Sequence, residues 1–460
     1  MRKQFFGIRV YSITVGLVLL VGIAGCSDFL SVPSPSTILI RSTVFENDQT
    51  AYAALSGVYS QMIEGPGASF ASGGTSGMSL LAGLSAGELI PTSGTNASLL
   101  EFYTHGLSAS SSGTSGIWQS AYKIIYQTNA LLEGVSASDA LSKQAEEQIT
   151  AQAFFLRAFC YFYLVNLFGD VPLAVTTDYR KNALLPRAPK DEVYRFILKD
   201  LQAAYSVLPP DYLSYSGERS RPGKWAAALM LARVHLYLEN WQPAVQYSEQ
   251  VLGQFAIYRL AGRADSIFLK NSPEAIWQLA PVATTVNTWE GNVFINSGTG
   301  TVSQLDGRLV DELADIDQRK RYWIKSAQGQ YYPSKYTIKT GGTPLIEYSM
   351  VIRLAEAYLI CSEAKARLRQ THAALSDLNM IRLRAGLTPL ASEDANQVLE
   401  WIAIERKAEF LAEWGHRWLD VKRTGEVLPK SPDRPAIKHL YPIPLNEMDK
   451  NPHLSQNEGY

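Results

Sequence analysis

The residues best suited to chemistry crowd toward the C-terminal end of this chain. Glu405, Arg406, Glu409, Glu413 and Arg417 recur at helical spacing. Two carboxylates at a set separation are what glycoside hydrolysis needs, so the cluster has to be weighed as a catalytic one. Its composition points elsewhere. Arginine stays protonated, and a carboxylate beside a cation is held in its charged form. Charges of opposite sign three and four residues apart on a helix pair with each other. The spacing therefore predicts an ion-pair scaffold. Asp306 with either Asp311 or Glu88 could be set up as an alternative hydrolase pair, but no nucleophile, base or metal constellation accompanies them, and no catalytic residue is assigned. The 6 histidines are scattered without an HxH or HExxH pattern. His416, between Trp414 and Trp418, reads as a core or capping histidine. No CxxC pair exists, so neither metal nor cofactor is expected. Cys160 and Cys361 sit in apolar helical stretches and read as buried free thiols.

The elements that must position these groups are mostly helical. Asn47 is a plausible N-cap for a helix burying Ala51, Leu55, Val58 and Met62. Residues 65–116 hold a third of the chain's 33 glycines with many serines, a density that predicts a long loop without helix. Helical pattern returns at 117–133 and at 139–168. In the latter, Phe155, Phe159, Phe162 and Tyr163 widen the apolar face until it runs nearly all round, as expected of a central helix. It should stop at Gly169, ahead of Pro172. A further helix is expected at 191–208. Residues 221–252, with Leu231, Ala232, His235, Ala244 and Val251, resemble one tetratricopeptide-type helix–turn–helix. A second, partial match runs through 361–385 with Ser362, Ala374, Leu378 and Ile381. Between 254 and 347 the pattern is irregular and rich in Trp and Tyr. Two long helices are expected at 349–368 and 394–418, with a shorter one at 373–384. Proline punctuates the last thirty residues, which should wrap the surface and be fastened through Tyr441 and Tyr460.

The N-terminus carries a different signal. Arg2, Lys3 and Arg9 precede an apolar run over 10–25 that is short and glycine-bearing for a membrane span. It reads as a secretory leader. The run closes on Ile23-Ala24-Gly25-Cys26, which resembles a lipobox. That resemblance implies a diacylglycerol on the Cys26 thiol and an acyl chain, such as palmitate, on its nitrogen. Residues 1–25 would then be a signal peptide and 26–44, rich in Ser and Pro, a lipidated tether. Losing Arg2, Lys3 and Arg9 takes the net charge from −1 to −4, a balance that suggests neither nucleic acid nor an anionic bilayer as partner. The bilayer would be touched through the anchor alone.

Four segments carry a wider resemblance. They are Arg157-Ala158-Phe159-Cys160-Tyr161-Phe162 running on to Gly169-Asp170-Val171-Pro172; Arg353-Leu354-Ala355-Glu356-Ala357-Tyr358 with Leu378-Asn379-Met380-Ile381-Arg382 downstream; Glu405-Arg406-Lys407-Ala408-Glu409-Phe410 leading to Trp414-Gly415-His416-Arg417-Trp418; and the C-terminal Tyr441-Pro442-Ile443-Pro444 through Gly459-Tyr460. In order and spacing they resemble the SusD/RagB family over essentially the whole chain after Cys26. The resemblance implies a fold that is mostly α, with tetratricopeptide-repeat-like helical pairs forming a scaffold, long irregular loops and few short strands. It divides the body into an N-terminal region, 45–253, and a C-terminal region, 254–460. It further implies a lipoprotein of the outer membrane facing the cell exterior. Such a protein binds nutrients, oligosaccharides or in some members peptides, and passes them to a SusC-type TonB-dependent transporter.

Loops on a rigid scaffold are where ligand contacts diversify. Sugars present apolar C–H faces to aromatic rings, with amides and charged groups bonding their hydroxyls. On that ground the candidate walls are 65–116, 284–300 and the turn 212–215. The candidate residues are Trp289, Tyr103, Glu88, Tyr212 and Tyr215. Peptide cargo and a non-catalytic repeat-type adaptor are the competing readings.

Overall fold

The computed structural model describes residues 41–460, apart from 66, 68, 283–284, 297–300, 342–343, 427 and 429–438. Cys26, the leader and most of the tether lie outside the described residues. The chain divides at Val44 into two units. Of the first, the short helix Arg41–Val44 is described; the second, Phe45–Tyr460, is one compact body.

Helices α1 (Asp48–Ile63), α2 (Met78–Ala86), α3 (Ala97–Tyr103), α4 (Ser112–Ser136) and α5 (Lys143–Phe168) open the body. The short α6 (Tyr179–Asn182), α7 (Lys190–Val207), α8 (Lys224–Tyr237) and α9 (Trp241–Leu252) follow. The Asn47 side chain accepts from Thr50 N at 3.0 Å, so the cap read from sequence starts α1. Helix α5 is buried around its circumference. Its Phe159 ring lies 5.2 Å from Trp277 and 5.6 Å from Trp414. It ends at Gly169, whose φ of +75° favours glycine.

After irregular chain come α10 (Trp289–Phe294), α11 (Gly307–Asp311) and α12 (Gln318–Trp323), then α13 (Leu354–Arg367), α14 (Thr371–Arg384), α15 (Ala395–Glu409), α16 (His416–Thr424) and α17 (Leu445–Lys450). The stack runs α4, α5, α7, α8, α9 and then directly to α13, α14 and α15. The two repeat-like segments, a hundred residues apart, are thus neighbours. Small residues allow it: Ala226, Ala227, Ala228, Ala232, Ala244, Ala364 and Ala374 are all fully buried. Ser362 Oγ closes the second pair by donating to Ala374 O at 2.7 Å. The fold class expected from sequence holds, and Cys160 and Cys361 are buried free thiols.

The strands are short. β1 (Leu89–Pro91), β3 (Ser303–Leu305), β4 (Ile324–Ala327) and β5 (Gln330–Pro333) form a sheet in the order β1-β3-β5-β4, and β2 (Ala275–Leu279) pairs antiparallel with β6 (Ser349–Arg353).

Three expectations need correction. Residues 65–116 are not a loop: they hold α2, β1, α3 and the start of α4, and every residue of α2 is buried. The glycines there serve close packing as well as turning. A Cβ on Gly83 would fall 2.8 Å from Leu89 Cδ1, and one on Gly113 would fall 2.4 Å from Phe102 Cε2. Here glycine density marks crowding rather than a loop. Residues 349–353 are strand, not helix. Met350-Val351-Ile352 is a short apolar run buried on both faces, which periodicity alone does not separate from a helical turn. Lastly, 394–418 is two helices. The chain turns at 410–415 because Gly415, at φ +70°, packs so closely on α2 that a Cβ would lie 2.6 Å from Ala82 Cβ.

The C-terminal segment is fastened as expected. Tyr441 is buried with its hydroxyl 2.9 Å from Ser85 Oγ, and Tyr460 donates to Leu440 O at 2.8 Å. Asn457 Nδ2 donates to Phe168 O and Tyr441 O.

Candidate functional site

The charged cluster was the first candidate for chemistry. Glu405 and Glu409 lie on α15 and Glu413 in the turn after it, and all three are buried. Their partners come from other elements. Arg353, at the end of β6, donates to both Glu413 oxygens at 2.8 and 3.0 Å and pairs with Glu409. Arg384 of α14 reaches Glu409 at 2.5 Å and Glu274 at 2.7 Å. Arg319 of α12 bonds Asp317 at 2.8 Å and forms an ion pair with Glu405 at 2.6 Å. Lys335 Nζ meets Glu413 at 2.8 Å. Nearby, Arg406 holds Asp420 at 2.8 Å and Arg423 holds Glu363 at 2.6 Å. Burial opposes ionisation of Glu409, but Arg384, Arg353 and Arg319 hold its carboxyl well below the usual range. These groups are already paired with one another, so the arrangement braces α12, α14, α15 and β6 together. His416 is buried, stacks on Phe410 at 4.3 Å, and is held neutral by desolvation and nearby arginines.

Two carboxyls behave differently. Burial pushes Glu88 and Glu290 up to about 7. Glu290 lines a cavity of about 10 Å³ with Lys335, Glu413 and Trp414. That is room for a water at most, and none for substrate. Asp306 caps α11 and pairs with Arg308 at 2.6 Å, whereas Asp311 is exposed. Among the described residues no cluster of His, Cys, Asp and Glu could hold a metal ion.

The five residues proposed as ligand contacts are not brought together. Glu88 is 1% exposed and accepts from Ala412 N at 3.3 Å; it belongs to the interior because 65–116 is folded core. Tyr212 is buried, with its hydroxyl 2.6 Å from Tyr258 Oη and donating to Ile276 O at 2.7 Å. These two are corrected to packing residues, since neither offers a free surface to a ligand. Trp289 opens α10 half-buried and spends its indole N–H on Ile63 O at 2.8 Å. Tyr103 ends α3 half-buried.

Tyr215 lines a depression. It closes a pocket of about 300 Å³ formed with Tyr52 and Ser56 of α1, Gln148 and Gln152 of α5, and Arg221. A larger cleft of about 440 Å³ runs along α4. Trp118, Tyr122 and Tyr126 line it at successive turns, and Tyr126 is 53% exposed. Opposite lie Thr176, Asn182, Lys450 and Asn451. Tyr122 donates to Pro172 O at 2.8 Å, and Asn129 Nδ2 to Ala174 O at 2.9 Å, so the wall is rigid. The Asn182 Oδ1 atom is buried without a partner. Sequence reasoning overlooked this cleft, although aromatic residues every fourth position on one helix were its visible sign.

Comparison with known proteins gives a consistent result. Residues 91–236 match a family described as starch-binding and associating with the outer membrane, and residues 282–433 match the SusD family. SusD-like protein P25 of Formosa agariphila is 26% identical over 98% of this chain and all of its own length. Among solved structures, a SusD superfamily protein from Bacteroides vulgatus superposes with a TM-score of 0.77 at 22% identity, covering 90% of this chain and 99% of that one. Surface glycan-binding protein A from Bacteroides fluxus gives 0.74 at 22% identity, with 90% and 99% covered.

Proposed function

Because the chain belongs to the SusD/RagB family, we propose that it is a non-catalytic lipoprotein of the outer membrane that captures oligosaccharides at the cell surface and hands them to a SusC-type transporter. The α4 cleft carries this reading. The exposed Tyr126 ring, with Tyr122 one turn before it, offers a stacking surface, and the Asn182 amide, whose Oδ1 has no partner, lines the same cleft. Saccharide C–H faces pack on such rings while hydroxyls bond the amide. A similar protein from Bacteroides fluxus is named for glycan binding. The ion-pair scaffold supports the non-catalytic part, since its acids are already bonded to arginine and lysine.

Calorimetry on detergent-solubilised full-length protein against a panel of neutral oligosaccharides tests the site. Tyr126→Ala should weaken the best ligand about tenfold, roughly 1.4 kcal/mol. Trp289→Ala, measured beside it, should bind as wild type. Loss in Trp289→Ala with none in Tyr126→Ala would move the site to α10. Delivery has its own test: a large barrel protein should co-purify from native membranes, and recovery of soluble proteins instead would favour an adaptor.

A further inference from the structure

The smaller pocket has a chemistry distinct from the α4 cleft and does not depend on it. It lies where α1 meets α5, closed by the turn after α7. On α5, Gln144, Gln148 and Gln152 line it at successive turns; on α1, Tyr52 and Ser56 do the same. Arg221 reaches in from the segment before α8. Its guanidinium lies 3.9 Å from the centroid of the Tyr59 ring and donates to Ser56 Oγ at 2.8 Å. Tyr59 is fixed in turn by donating to Gln152 Oε1 at 2.8 Å. The arginine is therefore held in place by neighbours rather than swinging free.

Two polar atoms here are buried without a hydrogen-bond partner: Arg221 Nη1, a donor, and Gln148 Oε1, an acceptor. Buried polar atoms are normally satisfied, so an unmatched donor and acceptor at one pocket point to a ligand that supplies both. The charge balance narrows its chemistry. No carboxylate lines the pocket. The acid one turn before Tyr52, Asp48, is occupied by Ser142, accepting from its N at 2.8 Å and its Oγ at 2.6 Å. A partly desolvated cation with a spare N–H binds an anionic oxygen more strongly than a hydroxyl. The rest of the lining does not suit a bare inorganic anion. Two tyrosine rings and three amides call for apolar faces and hydroxyls, and about 300 Å³ far exceeds a phosphate or sulfate ion.

We propose that this pocket binds a saccharide unit carrying an anionic substituent, a carboxylate or a sulfate ester. Arg221 contacts the anion, Gln148 accepts from a hydroxyl, and Tyr52 and Tyr215 flank the ring. The protein would then select charged glycans through a site separate from the aromatic stripe on α4.

Calorimetry on the full-length protein at low salt tests this with three tetramers: galacturonate, sulfated galactose and neutral galactose. At least one anionic tetramer should bind tenfold or more tighter than the neutral one, and its advantage should shrink as salt rises. Whichever anionic tetramer binds tighter identifies the substituent. In Arg221→Gln the anionic-to-neutral ratio should fall to about one. Equal binding of all three by wild type, no binding of any, or an unchanged ratio in a folded Arg221→Gln protein would overturn the assignment. Should Arg221→Gln fail to fold, Gln148→Leu decides: a several-fold loss for the anionic tetramer supports the site, and wild-type affinity removes it.

Discussion

Glu290 shows how one side chain can set the pH response of the body. It is 3% exposed, accepts from Ser349 Oγ at 2.5 Å, and leaves its other oxygen without a partner. Burial therefore favours the neutral carboxyl and raises its pKa to about 7 from an ordinary 4.5. The unfolded chain releases this proton near 4.5, the folded one near 7. The contribution to stability is complete below the lower value and is lost as pH climbs to the upper. At about 1.4 kcal/mol per pH unit, the loss amounts to roughly 3 kcal/mol. Glu290→Gln has nearly the same shape and no charge to release. Its urea midpoint should match wild type near pH 4.5 and exceed it at pH 8, equivalent to about 2–3 kcal/mol. Identical pH profiles for the two proteins would show that Glu290 is charged in the folded state. Glu88, also raised to about 7 by burial, adds a loss of the same sign.

At the level of elements, the charges on α15 illustrate what spacing does and does not reveal. Their helical periodicity was legible and pointed to pairing. The partners were not legible, because Glu405, Glu409 and Glu413 repeat at intervals of four and like charges so placed repel. Stabilising cations had to come from elsewhere in the fold, and they arrive on β6, α12 and α14. Arg353 is central, with Glu409 and Glu413 both on its guanidinium. Removing it takes a cation from two buried carboxylates and leaves Glu409 to Arg384 and Arg319 and Glu413 to Lys335; breaking a buried pair typically costs about 3–5 kcal/mol, whereas removing both signs together is often near neutral. Arg353→Met should therefore lose most of the protein's stability to urea, and adding Glu409→Gln and Glu413→Gln should restore part of it. A single variant as stable as wild type would mean that the network carries no such energy. The same contrast between local and distant information runs through the fold. Asn47 and Gly169 announce the ends of α1 and α5 by local chemistry, and the alanine-rich helices announce close pairing. β6 was hidden because its partner β2 lies seventy residues away. The α1–α5 pocket was hidden for a like reason: Tyr52, Gln148, Tyr215 and Arg221 are brought together by tertiary packing alone. Glu88 and Tyr212 misled because a glycine-rich or tyrosine-rich stretch reads as surface until packing shows what covers it.

At the scale of the whole molecule, the outer-membrane placement proposed above requires a means of attachment. Within the described residues one helix, Lys143–Phe168, is long and apolar enough to cross a bilayer, and 89% of its most apolar 18-residue stretch is buried inside the protein. It is the axis on which α4 and α7 pack, so it cannot leave for lipid without dismantling the body. The charge after a cleaved leader, −4, offers little attraction to anionic lipid. The anchoring proposed at Cys26 would then carry the attachment, through acyl chains worth about 0.8 kcal/mol per buried methylene, with more than one chain needed for stable retention. Labelled palmitate should enter the wild type in its native host and fail to enter Cys26→Ala. After an alkaline wash the wild type should stay with membranes, and Cys26→Ala should be released. Since Phe45–Tyr460 forms its own compact unit, the released variant should melt as the wild type does. Retention of an unlabelled Cys26→Ala protein after the wash would show that something other than acyl chains holds it there.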